Sequence, residues 1–89
     1  MNLQIVHDFF IEDCDLSTCR MIIVAINKYR DQNVVREYEF NRFNVTIFFE
    51  ENSVLIEDDL FTDEEGKSKI SLSDFFSMLQ TKERNCSKD

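Results

Sequence analysis

The chain reads as an α+β domain: a small antiparallel sheet of three to four strands with helices packed on one face. Two periodicities predict this. Apolar residues recur at helical spacing before residue 30 and again from Leu72, and they recur with a period of two in between. The period-two stretches are joined by short polar breaks, which suit antiparallel neighbours rather than parallel crossovers. Eighty-nine residues, 43% of them hydrophobic and nine of them Phe, supply one core and one domain, residues 1–89.

The elements follow in order. Leu3, Val6, Phe9 and Phe10, with the Ile5–Phe9 pair, predict a first amphipathic helix over Leu3 to Ile11. The acidic cluster Glu12, Asp13, Asp15 interrupts it. Asp15 or Ser17 then caps a second helix, because a short polar side chain accepts from the free N–H groups of a first turn. Leu16, Cys19, Ile22, Ile23 and Ile26 form its apolar stripe up to Tyr29 or Arg30, with Lys28 and Arg30 at the negative end of the helix dipole. Val34 to Phe40 is a half-buried strand in which Tyr38 and Phe40 alternate with Glu37 and Glu39. Phe43, Val45, Ile47 and Phe49 share one face of a second strand, with Asn44, Thr46 and Phe48 on the other. Glu50 to Ser53 forms a turn, and Val54 to Ile56 begins a third strand. Asp58 to Ser68 reads as a polar loop. Ile70 and Leu72 lead into a last helix that Ser71 and Asp74 begin at capping-box spacing, with Leu72, Phe75, Phe76 and Leu79 facing the core. From about residue 81 the polar tail is expected to fray.

Composition removes several classes of function. One Gly and no Pro exclude glycine-rich phosphate loops and proline-rich linkers. A formal net charge of -8 is the reverse of a nucleic-acid footprint, and an anionic membrane would repel it. Three Cys, with neither a basic-then-apolar leader nor an apolar run longer than Met21 to Ile26, point to a reducing cytoplasm.

No catalytic constellation emerges, so the chain is read as a non-enzyme. The only His, His7, sits in the first helix without a recognisable nucleophile beside it. Cys14, Cys19 and Cys86 lack the paired spacings of zinc sites, although a start-of-helix position is one that lowers the pKa of a thiol such as Cys14. With Gly66 in the glycine place of an EF-hand loop, Phe61 and Leu72 would fall on ligand positions, and neither side chain can ligate calcium. No metal and no cofactor are expected.

The charge is uneven. Residues 1–44 carry seven acids and five bases; residues 45–89 carry eleven acids and five bases. Between Glu50 and Glu65 there are eight carboxylates and not one Lys or Arg. Such repulsion is offset by solvent or by a basic partner, and apolar side chains among the acids supply burial. The candidate partner-binding residues are therefore Glu50, Glu51, Asp58, Asp59, Asp63, Glu64 and Glu65, with Phe48 and Phe61 as apolar anchors.

The run from Phe43 through the Asn52-Ser53 turn to Asp59, the acidic loop, and Ile70-Ser-Leu-Ser-Asp-Phe-Phe-Ser-Met-Leu79 together resemble the small immunity proteins of bacterial contact-dependent growth inhibition and related toxin systems. The resemblance covers about residues 43–80. It implies a cytoplasmic, non-enzymatic antitoxin that binds and neutralises a cognate basic toxin domain, most plausibly a nuclease. Two other readings accompany it: a nucleic-acid mimic that inhibits a DNA-binding or restriction enzyme, and an acidic adaptor or structural subunit. Direct nucleic-acid or membrane contact is not expected. The strand Val34–Phe40 is free to pair with a toxin strand or with its own copy, so homo-oligomerisation stays open.

Overall fold

Helices form where the apolar period is near 3.6 and a short polar side chain precedes it, and that local rule places most of the architecture. The computed structural model describes residues 3–61 and 63–86. Helix α1 spans Leu3–Glu12 and α2 spans Leu16–Tyr29; strands β1 (Val35–Glu39), β2 (Phe43–Phe48) and β3 (Ser53–Asp58) follow. A single 3₁₀ turn, Glu64–Gly66, leads into β4 (Lys67–Ser71) and then α3 (Leu72–Cys86). Asp15 caps α2 by accepting the Thr18 backbone N–H at 2.8 Å. Ser71 caps α3 by accepting the Asp74 N–H at 3.1 Å.

The sheet is an antiparallel meander in the order β1-β2-β3-β4. Its register places Tyr38, Val45, Ile56 and Ser68 in one transverse row, and Arg36, Ile47, Val54 and Ile70 in the next. Alternation therefore sends Val45, Ile47, Val54, Ile56 and Ile70 to one face, where they are buried with Phe9, Ile22, Ile26, Phe75 and Leu79 from the helices. Phe9 lies at the centre of the aromatic cluster, with ring centroids of Phe10, Phe40, Phe43 and Phe75 between 5.3 and 6.2 Å away. The expected α+β architecture, with helices packed against an antiparallel sheet, is the one observed. The opposite face carries Glu37, Glu39, Phe48, Leu55, Glu57, Lys67 and Lys69 in register.

Two boundaries differ from the sequence expectation. The polar loop expected over Asp58 to Ser68 ends sooner: Lys67–Ser71 is the fourth strand, pairing with β3 from Glu57↔Lys67 to Ser53↔Ser71. Only Ile70 marks it as apolar, because Ser68 takes the other inward position of this edge strand. The last helix does not end near residue 81; it continues to Cys86. Polar side chains hold this extension: the Lys82 ammonium donates to the Phe10 carbonyl at 2.9 Å, and Glu83 lies 3.4 Å from Arg20. Residues 87–89 of the expected frayed tail lie outside the described residues.

Candidate functional site

Eight of the nine candidate residues are divided between two ends of the sheet. Glu50 and Glu51 occupy the β2–β3 turn, and Phe48 is the last residue of β2 beside them. Asp59, Phe61, Asp63, Glu64 and Glu65 lie in the β3–β4 connection, at the far end of β3. Strand β3 separates the groups by roughly 17 Å at ~3.4 Å per residue. The acidic run is therefore two surfaces rather than one.

Asp58 belongs to neither surface. It is 1% exposed, on the inward-facing side of β3. Its carboxylate accepts from Arg42 Nε at 3.0 Å and Nη2 at 2.7 Å, and from the Leu60 N–H at 3.0 Å. These hydrogen bonds, the Arg42 pair foremost, hold its pKa below the usual carboxylate value despite burial. The expectation that Asp58 meets a partner is thereby corrected: the alternation that exposes Asp59 turns Asp58 inward, where it anchors the loop.

Arg42 is the hub of this end. Its guanidinium also lies over the Phe43 ring at 4.9 Å, and its carbonyl accepts the Asp59 N–H at 2.9 Å. Asp13, between α1 and α2, accepts the backbone N–H groups of Arg42 and Phe43, both at 2.8 Å. Asp8 and Glu12 of α1 are close enough to favour the charged form of Arg42. Two elements thus contribute carboxylates to one end of the molecule: Asp8, Glu12 and Asp13 from α1 and its exit, and Asp59, Asp63, Glu64 and Glu65 from the loop. Lys67 approaches Glu64 at 3.7 Å and Glu57 at 3.9 Å, contacts too long and too exposed to neutralise the group.

The loop also presents apolar surface. Leu60 is 69% exposed and Phe61 48% exposed, next to one another in the chain. A shallow hollow of about 320 Å³ between α1 and the loop is lined by Gln4, Ile5, Asp8, Arg42, Phe61 and Glu65. Gly66 makes this packing feasible: a Cβ there would lie 2.5 Å from the Phe61 Cβ and 3.2 Å from the Asp58 carbonyl oxygen. At the other end, Phe48 is half-buried on the open face of the sheet, with the Lys69 ammonium 5.7 Å from its ring centroid. It is not a neighbour of Phe61.

The sequence reading left Asp8, Glu12 and Leu60 out of the site. A signal for the first two was present, since Gln4, Asp8 and Glu12 repeat every fourth residue and share a helix face. Their placement beside Arg42 is tertiary and has no sequence signal.

Of the remaining chemistry-bearing residues, Cys14 and Cys86 line a cleft with Glu12 and Asp13 of this end, while His7 lies apart. His7 is exposed on α1 and lines an apolar groove with Leu3, Val6, Phe10 and Met78. Among the described residues no three potential ligands gather in a way that could hold a metal ion. The Cys14 thiol is pushed up, first by burial and then by Cys19, so the lowering expected from a helix start is overridden.

The class that fold and surface define is a small α+β domain with one acidic, apolar-tipped end. No family model, curated protein or solved structure matches the chain. No described helix is long and apolar enough to cross a membrane.

Proposed function

We propose that this domain is a cytoplasmic immunity protein that neutralises a basic toxin domain, most plausibly a nuclease, through the acidic end built by α1 and the β3–β4 loop. The observation that carries this reading is that carboxylates from two chain segments, Asp8 of α1 and Glu65 of the loop, line one hollow with half-exposed Phe61, beside exposed Leu60 in the chain. Charges so arranged steer a basic partner, and the two apolar side chains lose water on contact. The resemblance of residues 43–80 to toxin immunity proteins supplies the class of partner.

The mimic reading is less well supported. It calls for carboxylates strung along an elongated surface, whereas the domain measures 36 × 33 × 20 Å and sets Lys67 and Lys69 on the open face between its acidic ends.

The test begins with capture of partners by the tagged domain across a salt series, identified by mass spectrometry. Association kinetics are then compared for two variants. Asp59→Asn with Asp63→Asn and Glu64→Gln should slow association about tenfold at low salt, with the difference fading as salt rises. Glu50→Gln with Glu51→Gln should leave the rate unchanged. An unchanged rate in the loop variant would remove the loop from the interface, and equal slowing in both would show long-range charge alone. Many DNA-binding proteins released by modest salt would favour the mimic, and capture of no basic protein would leave only the adaptor.

A further inference from the structure

Cys14 and Cys19, five residues apart, and Cys86, far along the chain, meet at one corner. Cys14 lies in the link between α1 and α2, Cys19 in the first turns of α2, and Cys86 at the end of α3. The Cys14 and Cys19 sulfurs are 3.7 Å apart, with the Cys14 thiol donating to Cys19 and the Cys19 thiol pointing to the Leu79 carbonyl at 3.4 Å. An open cleft of about 680 Å³ reaches this corner, lined by Cys14, Asp15, Thr18, Lys82 and Cys86. Cys14 forms part of the cleft wall and Cys19 lies behind it, although both thiols are buried, at 1% and 0% exposure.

We infer that Cys14 and Cys19 form an oxidisable dithiol site that takes a small hydroperoxide, with Cys14 oxidised first and Cys19 resolving it. This goes beyond toxin binding and does not depend on it. The order follows from position, since only Cys14 of the pair lines the cleft. In the first step the Cys14 sulfur attacks one peroxide oxygen, the O–O bond breaks, and the departing hydroxide takes the thiol proton to leave as water. In the second the Cys19 sulfur attacks the Cys14 sulfenic acid, the S–O bond breaks, and the hydroxide leaves as water with the Cys19 proton. Two thiols and one hydrogen peroxide become one disulfide and two waters.

A disulfide needs sulfurs about 2.05 Å apart, so the pair must close by about 1.7 Å. Cys14 has the freedom to do so because it sits in the inter-helix link rather than inside a helix. Burial pushes both thiols up, with Cys19 and Asp15 adding to it at Cys14 and Cys86 and Glu83 at Cys19; Lys82 opposes it at both. Burial still dominates, so the reaction is slow and the site stays reduced under weak oxidants. A metal is a poorer occupant of this corner, where the described residues provide no three-ligand group.

The sequence makes the test direct. Arg20 is the first Lys or Arg, so trypsin leaves Cys14 and Cys19 on one peptide, Met1–Arg20, and Cys86 on another, Asn85–Lys88. The folded protein is treated with hydrogen peroxide, quenched, alkylated with iodoacetamide in denaturant and digested. The expected Met1–Arg20 peptide carries no alkyl adduct, is lighter than the dithiol by two hydrogens, and regains both adducts after dithiothreitol. Cys86→Ser should leave this unchanged, and Cys19→Ser should leave a Cys14 sulfenic acid that dimedone traps. The inference is overturned if the wild-type peptide keeps both adducts while Cys86 is oxidised, or if the disulfide formed joins Cys86 to either residue. The wild-type measurement decides the matter even where a cysteine variant fails to fold.

Discussion

The two ends of the sheet share a composition and differ in construction. At one end Glu50 and Glu51 lie in a tight turn closed by Asn52, whose φ of 53° puts it in the left-handed region. That turn is tied to α3 through the backbone, the Leu72 N–H donating to the Asn52 carbonyl at 2.8 Å. At the other end the loop is held by a buried carboxylate, a guanidinium and a glycine, which together leave Leu60 and Phe61 facing water. One end carries its two acids exposed on the turn. The other uses one acid, Asp58, to position the rest. A dense run of carboxylates is therefore not a unit, because adjacent residues such as Asp58 and Asp59 take opposite environments.

Substitutions that break this difference should rank by how much buried structure they disturb. Asp58→Asn leaves Arg42 without its charged partner, and we expect a loss of about 3 kcal/mol in urea unfolding. The same variant sharpens the pH dependence. Folding depresses the Asp58 pKa, so its contribution is complete above the unfolded carboxylate value near ~4 and is lost as pH falls through the lower folded value. Stability measured from neutral pH into acid should thus decline less steeply in Asp58→Asn than in the wild type.

Gly66→Ala forces its new methyl group against Phe61, and a cost of about 1–3 kcal/mol is expected by thermal unfolding. Adding Phe61→Gly should recover part of it, since the closest clash is with the Phe61 Cβ. At the turn end, Ser71→Ala removes the cap of α3 and should cost about 1 kcal/mol, measured in the same way. Glu50→Gln with Glu51→Gln should change stability by less than ~0.5 kcal/mol. A large loss there would mean that the turn acids carry structure after all.

Much of the fold was legible because its signals are local. The helical period of Leu16 to Ile26, the alternation of Phe43 to Phe49 and the Ser71–Asp74 cap each need only neighbouring residues. Strand β4 escaped because Lys67-Ser-Lys-Ile-Ser71 is an edge strand with one apolar anchor, so its identity rests on pairing with β3. The end of α3 was missed because Lys82 and Glu83 stabilise it through α1 and α2, not through an apolar stripe. Of the site, charge density was readable and burial was not. Nothing in the residues around Asp58 states that Arg42 faces it across the strand pair.

The placement of α1 bears on how the chain is made. This helix packs against β3 and β4, which are encoded last but one among the elements of the sheet and last, respectively. At ~5–20 residues per second, several seconds of synthesis separate Glu12 from the end of β3. For an interval of the same length after they emerge, Ile5, Val6 and Phe9 lack the strands that will cover them. The meander can zip hairpin by hairpin as it emerges, but α1 must wait for β3 and β4, and α2 for α3, so both apolar stripes stand open to chaperone capture in that window.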